Sequence, residues 1–134
     1  MSKIEDAQHE AAHVVVGIAL GLRLVSATIK PGPDSLGETV FLVGKSDRIA
    51  DLLWTAAGLA WERRNGDMLH ALSDVADLRR AGIKGTRQLQ VLERAAWAIL
   101  ESRPGIHARV TRALLEGDLD HKSARALWAE KERF

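Results

Sequence analysis

The sequence predicts an α+β fold, mostly helical: a helix carrying H-E-x-x-H, a small two- or three-stranded sheet, then a bundle of about four helices. Three observations carry this expectation. Apolar residues recur at helical spacing over most of the chain. Two short β-branched runs, Leu24–Ile29 and Thr39–Val43, flank a Pro-Gly-Pro breaker. Beyond them, glycine and proline divide the chain into helix-sized lengths. At 134 residues, positions 1–134 form a single domain.

The first helix is expected from Met1 to about Leu22. Ser2-Lys3-Ile4-Glu5 has the form of a capping box. Ile4, Ala7, Ala11, Val14, Val15 and Ile18 make its apolar side, with His9, His13, Val16 and Leu20 on a neighbouring stripe. Gly17 and Gly21, one turn apart, suggest close approach of another element there, because glycine inside a helix costs about 1 kcal/mol. The two strands follow, broken by Lys30-Pro31-Gly32-Pro33-Asp34. Ser46 or Asp47 caps a second helix over Arg48–Arg64 with Ile49, Leu52, Leu53, Ala56 and Ala60 inward; Trp54 and Trp61 share a face as core or interface residues. Its small residues Ala56-Ala57-Gly58 suit packing against Gly17 and Gly21. Asn65-Gly66-Asp67 ends it.

Ser73 can cap a third helix, ended or weakened by Gly82 and Gly85. A fourth spans about Thr86–Ser102, with Leu89, Leu92, Ala96, Ile99 and Leu100 inward, and stops at Pro104-Gly105. A fifth covers about Ile106–Leu115. Asp120 or Ser123 opens a short last helix through Trp128, and this C-terminal third reads as scaffold.

Composition excludes several classes of function. A formal charge of +1 gives no electrostatic case for nucleic acid or an anionic membrane. The strongly apolar run Val14–Leu22 is far short of the ~20 residues that span a bilayer. With no cysteine there is no disulfide, and a metal must be held by histidine and carboxylate. The expectation is a soluble, cytoplasmic protein.

The chemistry centres on His9-Glu10-Ala11-Ala12-His13. Two histidines four apart lie on one helix face, so both imidazoles can reach one ion. Glu10 sets a carboxylate beside that ion, where it can act as general base on a zinc-activated water. Shuffling this composition yields H-E-x-x-H in roughly one chain in a hundred, so the match is informative. Catalytic zinc takes three protein ligands as a rule. The metzincin continuation is excluded, because Val16 and Ala19 stand where its glycine and third histidine belong. The remaining candidates are Glu62, Asp74, Asp77, His70, His107 and His121. The three later histidines read as surface or loop residues, and Glu62 as a salt-bridge partner or an acceptor for a ligand histidine.

The order of these features resembles the peptidase domain of the FtsH/paraplegin family of ATP-dependent zinc proteases. His9-Glu10-Ala11-Ala12-His13-Val14-Val15-Val16-Gly17 is similar to that family's HEAGHAxxG helix. Val25–Pro31 resembles its strand ending in proline, and Leu36-Gly37-Glu38-Thr39 its LG-x-T segment. Ala56–Glu62 resembles GGRAAEE, and Ser73–Ala81 resembles GASNDLxRA. The resemblance implies a zinc metallopeptidase with His9, His13 and Asp77 as metal ligands and Glu10 as catalytic base. Ala12 replaces the motif's glycine, Ala76 replaces an asparagine, and the family's TTG loop is missing. There is no Walker A pattern for an ATPase. The implied substrate is therefore an unfolded or flexible polypeptide, taken up directly or from a separate ATPase or delivery partner; oligomeric state stays open. The competing reading is a metallopeptidase-like adaptor or regulatory binding module. An edge strand at Thr39–Val43 could align substrate by backbone pairing.

Overall fold

A computed structural model of the chain describes residues 3–32, 37–65 and 71–130. Helix α1, Lys3–Ala19, is buried almost all round from Ala7 to Ile18. Its polar first turn faces solvent, and Ile4, expected inward, is exposed there among the described residues. Gly21 at φ +85° closes the helix: its N–H bonds the Ile18 carbonyl at 3.0 Å, and the Leu22 N–H bonds Gly17 at 3.0 Å. That is a Schellman stop, so the helix ends short of Leu22. Gly21 thus serves the chain reversal rather than packing.

Strands β1 (Arg23–Thr28) and β2 (Glu38–Leu42) pair antiparallel, from Arg23 opposite Leu42 to Thr28 opposite Glu38. A bulge between Leu24 and Ser26 shifts the register at Val25. The far side of β1 is also covered. Ala27 exchanges both backbone hydrogen bonds with Leu119, each 2.9 Å. Among the described residues β2 pairs only with β1.

A 3₁₀ turn, Lys45–Asp47, leads into α2, Arg48–Asn65. Then come α3 (Ala71–Arg80), α4 (Thr86–Glu101), α5 (Pro104–Glu116) and α6 (His121–Glu130). The fold is thus α+β and mostly helical, with a two-stranded sheet. Gly82, at φ +100°, ends α3 with the same pair of bonds as Gly21: Gly82 to Arg79 and Ile83 to Leu78, both 3.0 Å. Pro104 starts α5 instead of only ending α4, since its fixed φ suits the first helical position. Ile49 lies outside the core, 68% exposed, at the first turn of α2.

The core forms around α1, which packs against α2 on one side and α5 on another. Val14, Val15 and Val16 are wholly buried, with Leu59, Leu78, Val110 and Leu114 around them. Gly17 is tight for a reason other than α2: a Cβ there would lie 2.1 Å from the Phe41 ring, so it admits β2. No helix among the described residues is long and apolar enough to cross a membrane.

Candidate metal centre

His9, Glu10 and His13 are all buried, an unusual state for polar side chains without a common task. The helical spacing stacks the two imidazoles 4.8 Å apart, centre to centre, nearly at right angles. Their Nε2 atoms are 3.2 Å apart. Asp74 Oδ2 completes a triangle at 3.3 Å from His9 Nε2 and 3.4 Å from His13 Nε2.

That triangle matches a metal centre. A tetrahedral ion with bonds of about 2.0–2.1 Å separates its donors by about 3.3–3.4 Å. Asp74 Oδ2 is buried and makes no hydrogen bond, so its lone pairs are directed at the imidazoles alone. The donor set, two imidazole nitrogens and one carboxylate oxygen, is the type that takes zinc and leaves a fourth position open. Among the described residues this is the group of histidine and carboxylate side chains close enough to share one ion.

Neighbouring residues fix which nitrogen faces the centre. His13 Nδ1 donates to the Trp54 carbonyl at 2.6 Å. His9 Nδ1 lies 3.2 Å from Glu62 Oε1, itself buried in α2. With both Nδ1 atoms directed outward, both Nε2 atoms are presented inward. Burial opposes a charge on His13, but adjacent Asp74, then Glu10 and the Trp54 carbonyl, outweigh it and raise its pKa from 6.5 to about 9.

Helix α2 can approach this closely because position 58 is glycine. A Cβ there would meet Asp74 Oδ2 at 2.4 Å, His9 Cε1 at 2.4 Å and His13 Nε2 at 2.7 Å. The small residues of α2 thus make room for the polar cluster rather than for Gly17 and Gly21.

Glu10 is held from β2: Thr39 Oγ1 donates to Glu10 Oε1 at 2.7 Å. Gly37 passes beside the same carboxylate, where a Cβ would come within 3.2 Å of Glu10 Oε2. Imidazoles, Asp74, Glu10 and Thr39 line one cleft of about 480 Å³. Because Ala27 gives both backbone groups to Leu119, its ladder partner Thr39 points its own away from β1, toward the free edge.

The carboxylate that the structure brings to the two imidazoles is Asp74 and not Asp77. Asp77, expected as the ligand, lies one turn further along α3, half exposed and paired with Arg80. It lines the cleft without joining the triangle. Both aspartates belong to one helical face, and the docking of α3 over Gly58 selects Asp74. His107, expected at the surface, is buried: Nε2 donates to the Gln8 carbonyl at 3.0 Å and the ring stacks on Trp61 at 4.0 Å. Burial lowers its pKa, partly offset by that carbonyl. It braces α1 one residue before His9. His121 Nδ1 accepts from the Leu24 N–H at 3.0 Å, which pins β1. His70 lies outside the described residues. No family model matches the sequence, and no curated protein matches it.

Proposed function

We propose that the protein is a zinc-dependent metallopeptidase acting on unfolded or flexible polypeptide, with His9, His13 and Asp74 holding the metal. The observation that carries this reading is the near-equilateral triangle of two Nε2 atoms and Asp74 Oδ2, with Glu10 beside it. Bound there, zinc supplies Lewis acidity toward a substrate carbonyl and acidifies water.

The chain's own groups do the rest. Glu10 takes the proton from the attacking water and later gives it to the leaving amine. The Thr39 hydroxyl holds one oxygen of Glu10 and so fixes the direction of its carboxylate. The outward-facing N–H and C=O of Thr39 offer an extended peptide a pairing site beside Glu10. The cleft, about 480 Å³, admits a few residues of extended chain and not a folded domain. Delivery by a separate ATPase or adaptor, and action in the cytoplasm, belong to the same proposal.

The test is protein prepared without chelator, assayed for zinc and for cleavage of a quenched fluorescent casein. One zinc per chain and metal-dependent cleavage are expected. Glu10→Gln should retain the zinc and lose at least ~100-fold in rate, the scale of a lost general base. Zinc uptake with no cleavage by the wild type would instead make this a metal-holding binding module.

A further inference from the structure

A second surface, remote in chemistry from the metal centre, has the character of a docking site. The turn between α3 and α4 and the outer face of α4 enclose a groove of about 400 Å³ lined by Ile83, Arg87, Gln88, Val91 and Leu92. Its walls are almost wholly apolar. Val91 is 61% exposed, and it lies beside the half-buried Ile83 and Leu92, so three aliphatic side chains adjoin on this surface. Helix α4 packs its other side on α2, so the fold leaves this face bare.

The rim carries one sign of charge. Arg48 reaches across to the turn, its Nη2 donating to the Ala81 carbonyl at 3.1 Å. Arg79 Nη1 donates to the Lys84 carbonyl at 3.2 Å. With Lys84 and Arg87 they place four cationic side chains around Ile83. None of the four is paired with a carboxylate among the described residues, although the whole chain is close to neutral at +1.

We infer that this groove binds an acidic amphipathic peptide segment of a partner protein. Aliphatic side chains of the segment fill the space between Ile83 and Leu92, and its Asp and Glu side chains meet the basic rim. An amphipathic helix would present its aliphatic side chains to such a strip on one face and its acidic side chains to the rim. A nucleic acid would satisfy the rim and leave Val91 and Leu92 uncovered, so the apolar floor selects peptide. The groove adjoins the C-terminal end of α3, whose first turns supply Asp74. A partner seated there would stand next to the cleft, the position required of a delivery factor. The inference needs neither the metal nor peptidase activity.

The probe is a fluorescein-labelled helical peptide of 16 residues, on the order of four to five turns, with leucine at i, i+4 and i+7 and glutamate on the other face. Fluorescence anisotropy with the full chain should give saturable binding that weakens as NaCl rises. Val91→Asp should weaken it at least ~10-fold and Arg87→Glu by about 3–10-fold, as rim charges do. Both positions are exposed, and unchanged melting temperatures verify the fold. Absence of saturable binding overturns the inference. So does equal binding of a leucine-to-serine version of the peptide or of a single-stranded oligonucleotide. Binding indifferent to Val91→Asp overturns it as well.

Discussion

A methyl group on Gly58 would stand 2.4 Å from Asp74 Oδ2. The backbone of α2 is therefore the floor of the proposed metal centre, and any side chain there would displace one of its proposed ligands. Gly58→Ala should lower metal affinity at least ~100-fold while costing about 1–3 kcal/mol of stability, the range for overpacking. Gly17→Ala should cost comparable stability, since it strikes Phe41, and leave affinity nearly unchanged. Cobalt titration followed by visible absorption, with thermal melts, separates the two.

Asp74 and Asp77 are three residues apart on α3 and have different fates. Asp74→Asn should reduce metal affinity at least ~100-fold by replacing an anionic ligand with a neutral one. Asp77→Asn should change it by less than about threefold, because a half-exposed carboxylate paired with Arg80 contributes little. Competition with a chelating indicator measures both. Equal loss in the two variants would return the ligand role to Asp77.

Glu62 Oε1 stands 3.2 Å behind the His9 ring, at Nδ1. Glu62→Gln should weaken metal binding by about 10–100-fold, the range for a carboxylate behind a ligand histidine. Circular dichroism should show an unaltered helix content. Unchanged affinity would mean that helix geometry alone orients His9.

At the proposed centre proton and metal would compete for His13, which would make affinity depend on pH. Its pKa is raised from 6.5 to about 9, so below that value zinc must displace a proton. Affinity should rise by about tenfold per pH unit between 6.5 and 9, then level off. Calorimetry in buffers of different ionisation enthalpy should detect close to one proton released at neutral pH. In chelator-treated protein the sign reverses. The stability due to charged His13 is complete below pH 6.5 and fades as pH rises through about 9.

What the sequence revealed was local, and what it concealed was long-range. The helices and the two strands follow from apolar spacing and from breakers such as Pro31 and Gly82. The pairing of His9 with His13 needed one helix only. Choosing between Asp74 and Asp77 needed the depth at which α3 docks on α2, a tertiary quantity fixed by Gly58. His107 misled because nothing in its neighbourhood signals a bond to Gln8, 99 positions away. A buried histidine with Trp61 beside it was its only available sign, and that stack is itself tertiary. Leu119 was hidden for the same reason: a lone residue after α5 has no strand pattern, yet it bridges to the outer side of β1 at Ala27.

The double hydrogen bond between Ala27 and Leu119 occupies both backbone groups of Ala27 on the side of β1 away from β2. Sheets that offer two unprotected rims can recruit neighbours on both sides and grow without end. With the β1 rim occupied at Ala27 by a later segment of the same chain, strand-to-strand joining there would first have to displace Leu119. Loss of Leu119 from its place would bare the backbone of Ala27 and add a second rim at which a foreign strand could pair.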